Sequence, residues 1–114
     1  NLFEDNGVKP AEEVFIFSYM SEESKLHMKW DIEEDYYLYL NSILIKQGDK
    51  SPEFKIEKAN IIEHEDEFFG KTKIIRDSLK ISVNNEIGAE GIKVFYQGCA
   101  DKGFCYPIQS KDLK

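Results

Sequence analysis

Cys99 and Cys105 are the only residues of this chain with intrinsic nucleophilic reactivity, and they lie six positions apart in Gly98-Cys99-Ala100-Asp101-Lys102-Gly103-Phe104-Cys105-Tyr106-Pro107. An extended segment of that length would hold their Cα atoms roughly 20 Å apart, whereas a disulfide needs about 4.4–6.8 Å. A bond between them therefore requires the chain to fold back. Gly98 and Gly103 are the residues expected to permit that turn, and in a hairpin positions i and i+6 can face each other. The chemistry such a pair offers is thiol–disulfide exchange: one thiolate attacks a partner's disulfide, and the second cysteine resolves the mixed disulfide.

Closing so short a loop stabilises the fold little, about 2 kcal/mol against more than about 4 for a loop of seventy residues. Such a bond can open and close without unfolding the protein. The spacing is equally compatible with a small hairpin staple in a secreted protein. The local charge works against ionisation, since Asp101 sits between the cysteines in an acidic chain and only Lys102 stands ready to compensate. A sluggish free dithiol, reacting mainly inside a complex, is expected. Asp101 also reads as an ordinary solvated turn residue.

Asp66-Glu67-Phe68-Phe69-Gly70 is the second unusual segment, two adjacent aromatics between acids and a glycine. It fits a loop whose aromatic covers something reactive, or one whose rings dip into the core. His27 and His64 have no ligand spacing to each other or to the cysteines, so no metal site is expected. A phosphate-binding glycine loop and a Gly-x-Ser-x-Gly elbow are both missing from the sequence.

The elements that must position these residues are strands. Leu26, Met28, Trp30 and Ile32 alternate with His27, Lys29 and Asp31, the period of a half-buried strand. Leu79-Ile81-Val83 and Ile92-Val94-Tyr96 repeat that pattern. Val14 to Met20 is a further β-rich run, and Tyr36 to Ile45 reads as a strand that bends or changes partner midway. Phe54-Ile56 and Thr72–Ile75 read as additional short strands. Turn signals at Glu33-Glu34-Asp35, Gly48-Asp49, Gly70, Asn84-Asn85 and Gly88 separate them. Only Ala11 to Val14 or Asp66 to Gly70 could make a short helical turn. Seven or more short strands argue for an all-β sandwich. Its likeness to an immunoglobulin domain is architectural only, because there the paired cysteines lie far apart on facing sheets.

The 114 residues fit one domain, 1–114, and 41% hydrophobic content is enough for a core. A net charge of −7 with no basic run disfavours nucleic acid and anionic membrane surfaces. No apolar run approaches the 18 residues of a membrane span. The opening Asn1-Leu2-Phe3 carries no signal-peptide pattern.

Tyr96-Gln-Gly-Cys-Ala-Asp-Lys-Gly-Phe-Cys-Tyr-Pro107 resembles the active-site hairpin of the N-terminal domain of DsbD, the bacterial thiol:disulfide interchange protein. His64 to Lys71 resembles the cap loop of that family, Asp35-Tyr36-Tyr37-Leu38-Tyr39 its Gly-Tyr-Tyr-Leu-Tyr segment, and Pro10 to Phe17 its first-strand entry. The resemblance runs from Leu2 to Lys114. It implies an immunoglobulin-like sandwich at the N-terminus of a larger membrane protein, lying in the periplasm. Electrons would arrive from that protein's own C-terminal thioredoxin-like domain. They would pass to partners such as the disulfide isomerase DsbC and the cytochrome c maturation thioredoxins. Cys105 would attack and Cys99 resolve. Phe68, within the loop Asp66, Glu67, Phe68, Phe69 and Gly70, would cap the pair, and Tyr37, Tyr39, Asp101, Phe104 and Tyr106 would line the site. The cysteine pair would need no cofactor, and the domain would be a monomer. The chain departs from the family pattern at Ile108, where a second proline is common, at Leu40, where a basic residue is common, and at Asp35, which replaces a glycine. The competing expectation is a non-enzymatic sandwich binding module with a structural hairpin disulfide.

Overall fold

The computed structural model describes residues 7–85 and 89–114, so the turn signal at Gly88 and the opening Asn1-Leu2-Phe3 lie outside the described residues. The chain enters through a helical turn, α1 (Ala11–Val14), and then runs as ten strands. These are β1 (Phe15–Glu22), β2 (Lys25–Ile32), β3 (Tyr36–Tyr39), β4 (Leu44–Gln47), β5 (Lys55–Asp66), β6 (Gly70–Asn84), β7 (Ile92–Tyr96), β8 (Gly98–Ala100), β9 (Phe104–Cys105) and β10 (Gln109–Asp112). A seven-stranded sheet follows the order β1-β2-β6-β3-β8-β9, with β5 along the other edge of β6; a three-stranded sheet follows β10-β7-β4. The result is the expected all-β, immunoglobulin-like sandwich.

The period-two pattern places the core. Leu26, Met28, Trp30 and Ile32 of β2 and Leu79, Ile81 and Val83 of β6 point inwards against Ile45, Ile92, Val94 and Tyr96 of the small sheet. Trp30 stacks edge-on with Tyr96 at 5.5 Å and meets Phe17 at 5.0 Å. Such ring pairs contribute about 0.5–1.5 kcal/mol beyond the area they bury.

The Tyr36–Ile45 run does change partner. β3 ends in a 3-10 turn, Leu40–Ser42, and the chain resumes as β4 in the opposite sheet. Ser42 fixes the crossing: its hydroxyl donates to Tyr39 O at 2.7 Å and accepts from Gln97 N at 2.9 Å. All four residues of β3 are buried. Tyr36 and Leu38 join the main core, while Tyr37 and Tyr39 join a separate cluster with Ile74 and Cys99. Alternation makes this the outer face of the large sheet, turned away from the small one.

Several expectations need correction. Thr72–Ile75 and Leu79–Val83 are not two strands but parts of β6, continuous through a bulge. There Asp77 takes φ 69 and accepts a hydrogen bond from Asn60 Nδ2 at 2.8 Å. The short Phe54–Ile56 strand begins one residue later and extends through Asp66 as β5, a mostly exposed edge strand whose polar composition hid it. Val14 closes α1 rather than opening β1. Asp66–Gly70 forms a hairpin turn, not a helical one, with Gly70 at φ 67 closing it. Asp35 stands at φ 74, the left-handed conformation that suits the glycine of the family pattern; Asp is among the few other residues that tolerate it.

Candidate active site

Two hairpins meet on the outer face of the large sheet. In the first, Cys99 of β8 lies directly opposite Cys105 of β9, with Asp101-Lys102-Gly103 as the connecting loop. The two sulfurs are bonded, and the Cα atoms are 4.0 Å apart, closer than the usual disulfide span and nearest to the short spacing of a pair between the hydrogen-bonded rungs of an antiparallel ladder. Gly103, at φ 99, makes the turn, with its N–H donating to Ala100 O at 3.0 Å. Gly98 does not make the turn. A Cβ there would fall 2.6 Å from Phe15 Cζ and closer still to Tyr37 O, so Gly98 lets β8 press against β3.

Cys99 has no exposed surface and Cys105 is half-buried, so Cys105 is the sulfur with an outward side. Beneath them stands Tyr39, its hydroxyl oxygen 3.2 Å from Cys99 Sγ and 3.8 Å from Cys105 Sγ. A disulfide has no S–H to give, and the Tyr39 proton is committed elsewhere, so its oxygen presents lone pairs to the sulfurs.

That proton goes to Asp66, the residue that organises the second hairpin. Asp66 Oδ2 accepts from Tyr39 at 2.5 Å and from Tyr37 at 3.1 Å, while Oδ1 accepts the Phe68 and Phe69 amides at 2.9 and 2.8 Å. An Asp side chain folding its own following turn is a common local motif; here it also ties the turn to the tyrosines. Burial alone would raise the Asp66 carboxyl. The hydrogen bonds from Tyr39, the Phe69 and Phe68 amides and Tyr37 outweigh it and hold the carboxyl at about 2. Burial, with the Asp66 contact adding to it, pushes the Tyr39 phenol far above its ordinary range, and Tyr37 is raised chiefly by burial. Both stay protonated donors.

The turn after Asp66 lays Phe69 on Tyr39, with ring centroids 4.3 Å apart. Phe68 and Phe69 remain 47% and 53% exposed, so neither dips into the core. Glu67 is exposed on the same turn. Phe104, beside Cys105, packs edge-on against Tyr106 at 4.9 Å. Tyr106 is buried, its hydroxyl donating to Lys9 O, and it faces the main core more than the sulfurs.

Asp101 is neither free nor balanced by Lys102, whose ammonium reaches Gly7 O at 3.4 Å. Its partner is Arg76 of β6, Nη2 to Oδ1 at 2.9 Å. Arg76 also donates to Tyr36 O at 3.3 Å and lies 5.4 Å from the Tyr37 ring centroid. No local pattern marks Arg76, because only the pairing of β6 with β3 and of β3 with β8 brings it beside the hairpin. His64 is likewise a site residue by position, its ring 4.8 Å from Tyr37 and its Nε2 3.2 Å from Asp66 Oδ2, outside hydrogen-bonding geometry.

The model of the family "Thiol:disulfide interchange protein DsbD, N-terminal" matches residues 5–114. The chain belongs to the DsbD N-terminal domain family. It is 41% identical over 106 residues to the thiol:disulfide interchange protein DsbD of Pectobacterium atrosepticum and 39% identical over 110 residues to that of Escherichia coli K12, 91% of this chain in each case. It spans only 18% and 19% of those DsbD proteins. In structure it is similar to the DsbD N-terminal domain of Neisseria meningitidis in its reduced form, with a TM-score of 0.77, 28% identity, and coverage of 92% of this chain and 86% of that one. The DsbD N-terminal domain of the same organism, solved in complex with the PilB N-terminal domain, shares the fold with a TM-score of 0.66 at 24% identity, 92% of this chain and 84% of that one being covered. No helix among the described residues is long and apolar enough to cross a membrane.

Proposed function

We propose that this chain is the N-terminal, periplasmic domain of a larger inner-membrane DsbD protein and works as a dithiol–disulfide carrier. It receives electrons from the C-terminal thioredoxin-like domain of the same protein and reduces disulfides of periplasmic thioredoxin-fold partners, such as DsbC and the cytochrome c maturation thioredoxins. The observation that carries the reading is the asymmetry of the pair, with Cys105 half-exposed and Cys99 fully buried, both against Tyr39 under the Asp66 cap loop.

That asymmetry suits an ordered exchange. The Cys105 thiolate attacks one sulfur of the partner's disulfide, and the other partner sulfur leaves as a thiolate. Cys99, already opposite in the ladder, gives its proton to the partner thiolate just released, attacks Cys105 Sγ as a thiolate and releases the partner's second sulfur as a thiolate. Two electrons pass to the partner and the Cys99–Cys105 bond forms. In the reduced domain the Cys99 S–H can donate to the Tyr39 oxygen, whose own proton is held by Asp66. This keeps the resolving thiol protonated until Cys105 is engaged. Phe68 and Phe69, on the turn that Asp66 folds, restrict access, and a docking partner must move them.

A purely structural disulfide fits less well. The pair belongs to the small outer cluster with Tyr37, Tyr39 and Ile74 and not to the main core, and it closes a loop too short to stabilise much. The test is an exchange assay. The oxidised domain is mixed with the reduced C-terminal thioredoxin-like domain of the same gene, and free thiols are counted after acid quenching. Transfer of the disulfide within seconds is expected. Reduction no faster than by an equal concentration of a small monothiol would sink the reading.

A further inference from the structure

We infer that the outer face of the large sheet carries a lysine-lined docking surface for the acidic rim of a thioredoxin-fold partner, an inference that rests on the exchange reading above. In the registers of β2, β6 and β5, Lys29 lies opposite Lys80, and Lys80 lies opposite Lys58. Directly opposed residues share a face, so three lysines form one row across three strands. Lys25 and Lys55 extend the same face, pairing with Asn84 and Ser82 of β6. Carboxylates facing them include Glu22, opposite Lys25, Asp31 3.4 Å from Lys29 Nζ, Glu57 3.9 Å from Lys55 Nζ, and Glu53, which lines a hollow with Lys25 and Lys55. Glu57 is further held by the Ser82 hydroxyl at 2.8 Å. Within the row itself like charges stand against like, an arrangement that costs stability and is relieved when an anionic surface covers it. A groove of about 440 Å³ opens beside the row, between Met20, Lys25, His27, Lys29, Glu57 and Lys80.

The row is continuous with the redox site. Ile74, within the cysteine cluster, Arg76 beside it and Lys80 lie opposite Ile62, Asn60 and Lys58, alternate residues of β5, and so share one face of the sheet. Measured along β5, Arg76 (opposite Asn60) and Lys80 (opposite Lys58) are two residues apart, roughly 7 Å. A partner domain of about a hundred residues is roughly 30 Å across. Such a domain seated on Cys105 therefore overlies the lysines, in a chain whose net charge of −7 would otherwise repel an acidic partner. A membrane surface covering this face would bury the hairpin, which is why a protein occupant is favoured.

The test follows the second-order rate of disulfide exchange against ionic strength. The reductants are a reduced thioredoxin with an acidic rim and the same thioredoxin with those acids replaced by glutamine. The triple variant K29E/K58E/K80E should react about ten-fold or more slowly than the parent with the acidic form at low salt, with the difference vanishing near 1 M salt. The glutamine form and dithiothreitol should barely distinguish the variants. A K29Q/K58Q/K80Q variant should fall between, with a Tm no lower than the parent, which separates lost steering from lost folding. Equal rates for parent and triple-Glu variant with the acidic thioredoxin would overturn the inference. So would loss, in the variant, of parent binding to phosphatidylglycerol vesicles with exchange rates unchanged, which would assign the row to a membrane. Failure of the parent to exchange with either thioredoxin, while dithiothreitol still reduces it, would overturn the carrier reading itself.

Discussion

The Tyr39 hydroxyl stands 2.5 Å from Asp66 Oδ2, and the same oxygen lies 3.2 Å from Cys99 Sγ. One side chain thus connects the folding of the cap loop to the chemistry of the buried sulfur. Asp66→Asn keeps the size but removes the charge that gathers two phenols and two amides. We expect it to cost about 1 kcal/mol in stability and to speed alkylation of the reduced thiols several-fold. Differential scanning calorimetry and iodoacetamide kinetics check the two halves. Unchanged alkylation would mean that Asp66 does not hold the cap.

The same carboxyl sets a pH window. Its value in the folded protein, about 2, lies below the ordinary 3.8. Its contribution is therefore complete above about 4 and is lost as pH falls through 2. An NMR titration of the Asp66 carboxyl should have its midpoint near 2, with protection of the Phe68 and Phe69 amides lost alongside. A midpoint near 4 would contradict the hydrogen-bond set described for it.

Arg76 is expected to act as a positioning residue through its 2.9 Å ion pair with Asp101. Arg76→Gln leaves an unpaired carboxylate in the loop between the cysteines, which disfavours a thiolate. The pH profile of Cys105 alkylation should move upward, and adding Asp101→Asn should move it back. A profile that stays put in both variants would reduce Arg76 to a structural contact.

The cap rings separate by substitution. Phe69 is the ring stacked on Tyr39, so Phe69→Ala should expose the sulfurs and raise the alkylation rate. Phe68→Ala tests whether Phe68, exposed to a similar degree, also shields them, with an increase expected there too. If both rates match the parent, the loop covers something other than the cysteines.

Reduction itself should be mild. The bond closes a short loop beside, not within, the main core, so its loss should lower Tm by no more than about 10 °C. Unfolding on addition of reductant at room temperature would favour a structural staple.

The sandwich was legible because its central strands alternate strictly: Leu26 to Ile32 and Ile92 to Tyr96 each bury every second residue. β5 was not, since an exposed edge strand built of Glu57, Lys58, Asn60 and Glu63 carries no burial pattern to read. The bulge at Asp77 joins what look like two strands, because a residue at positive φ resembles a turn in sequence. In the site, the hairpin and the cap announce themselves by composition. Arg76 and the lysine row do not. Lys29, Lys58 and Lys80 are far apart in a chain with no basic run and become neighbours only through strand register.

The central claim, that Cys105 is the working sulfur of a carrier, is tested most directly by trapping. The domain carrying Cys99→Ala cannot resolve a mixed disulfide. Mixed in reduced form with an oxidised thioredoxin-fold partner, it should accumulate a covalent complex that mass spectrometry maps to Cys105, while Cys105→Ala should accumulate little or none. A complex formed equally well through Cys99, or none through Cys105, would contradict the account.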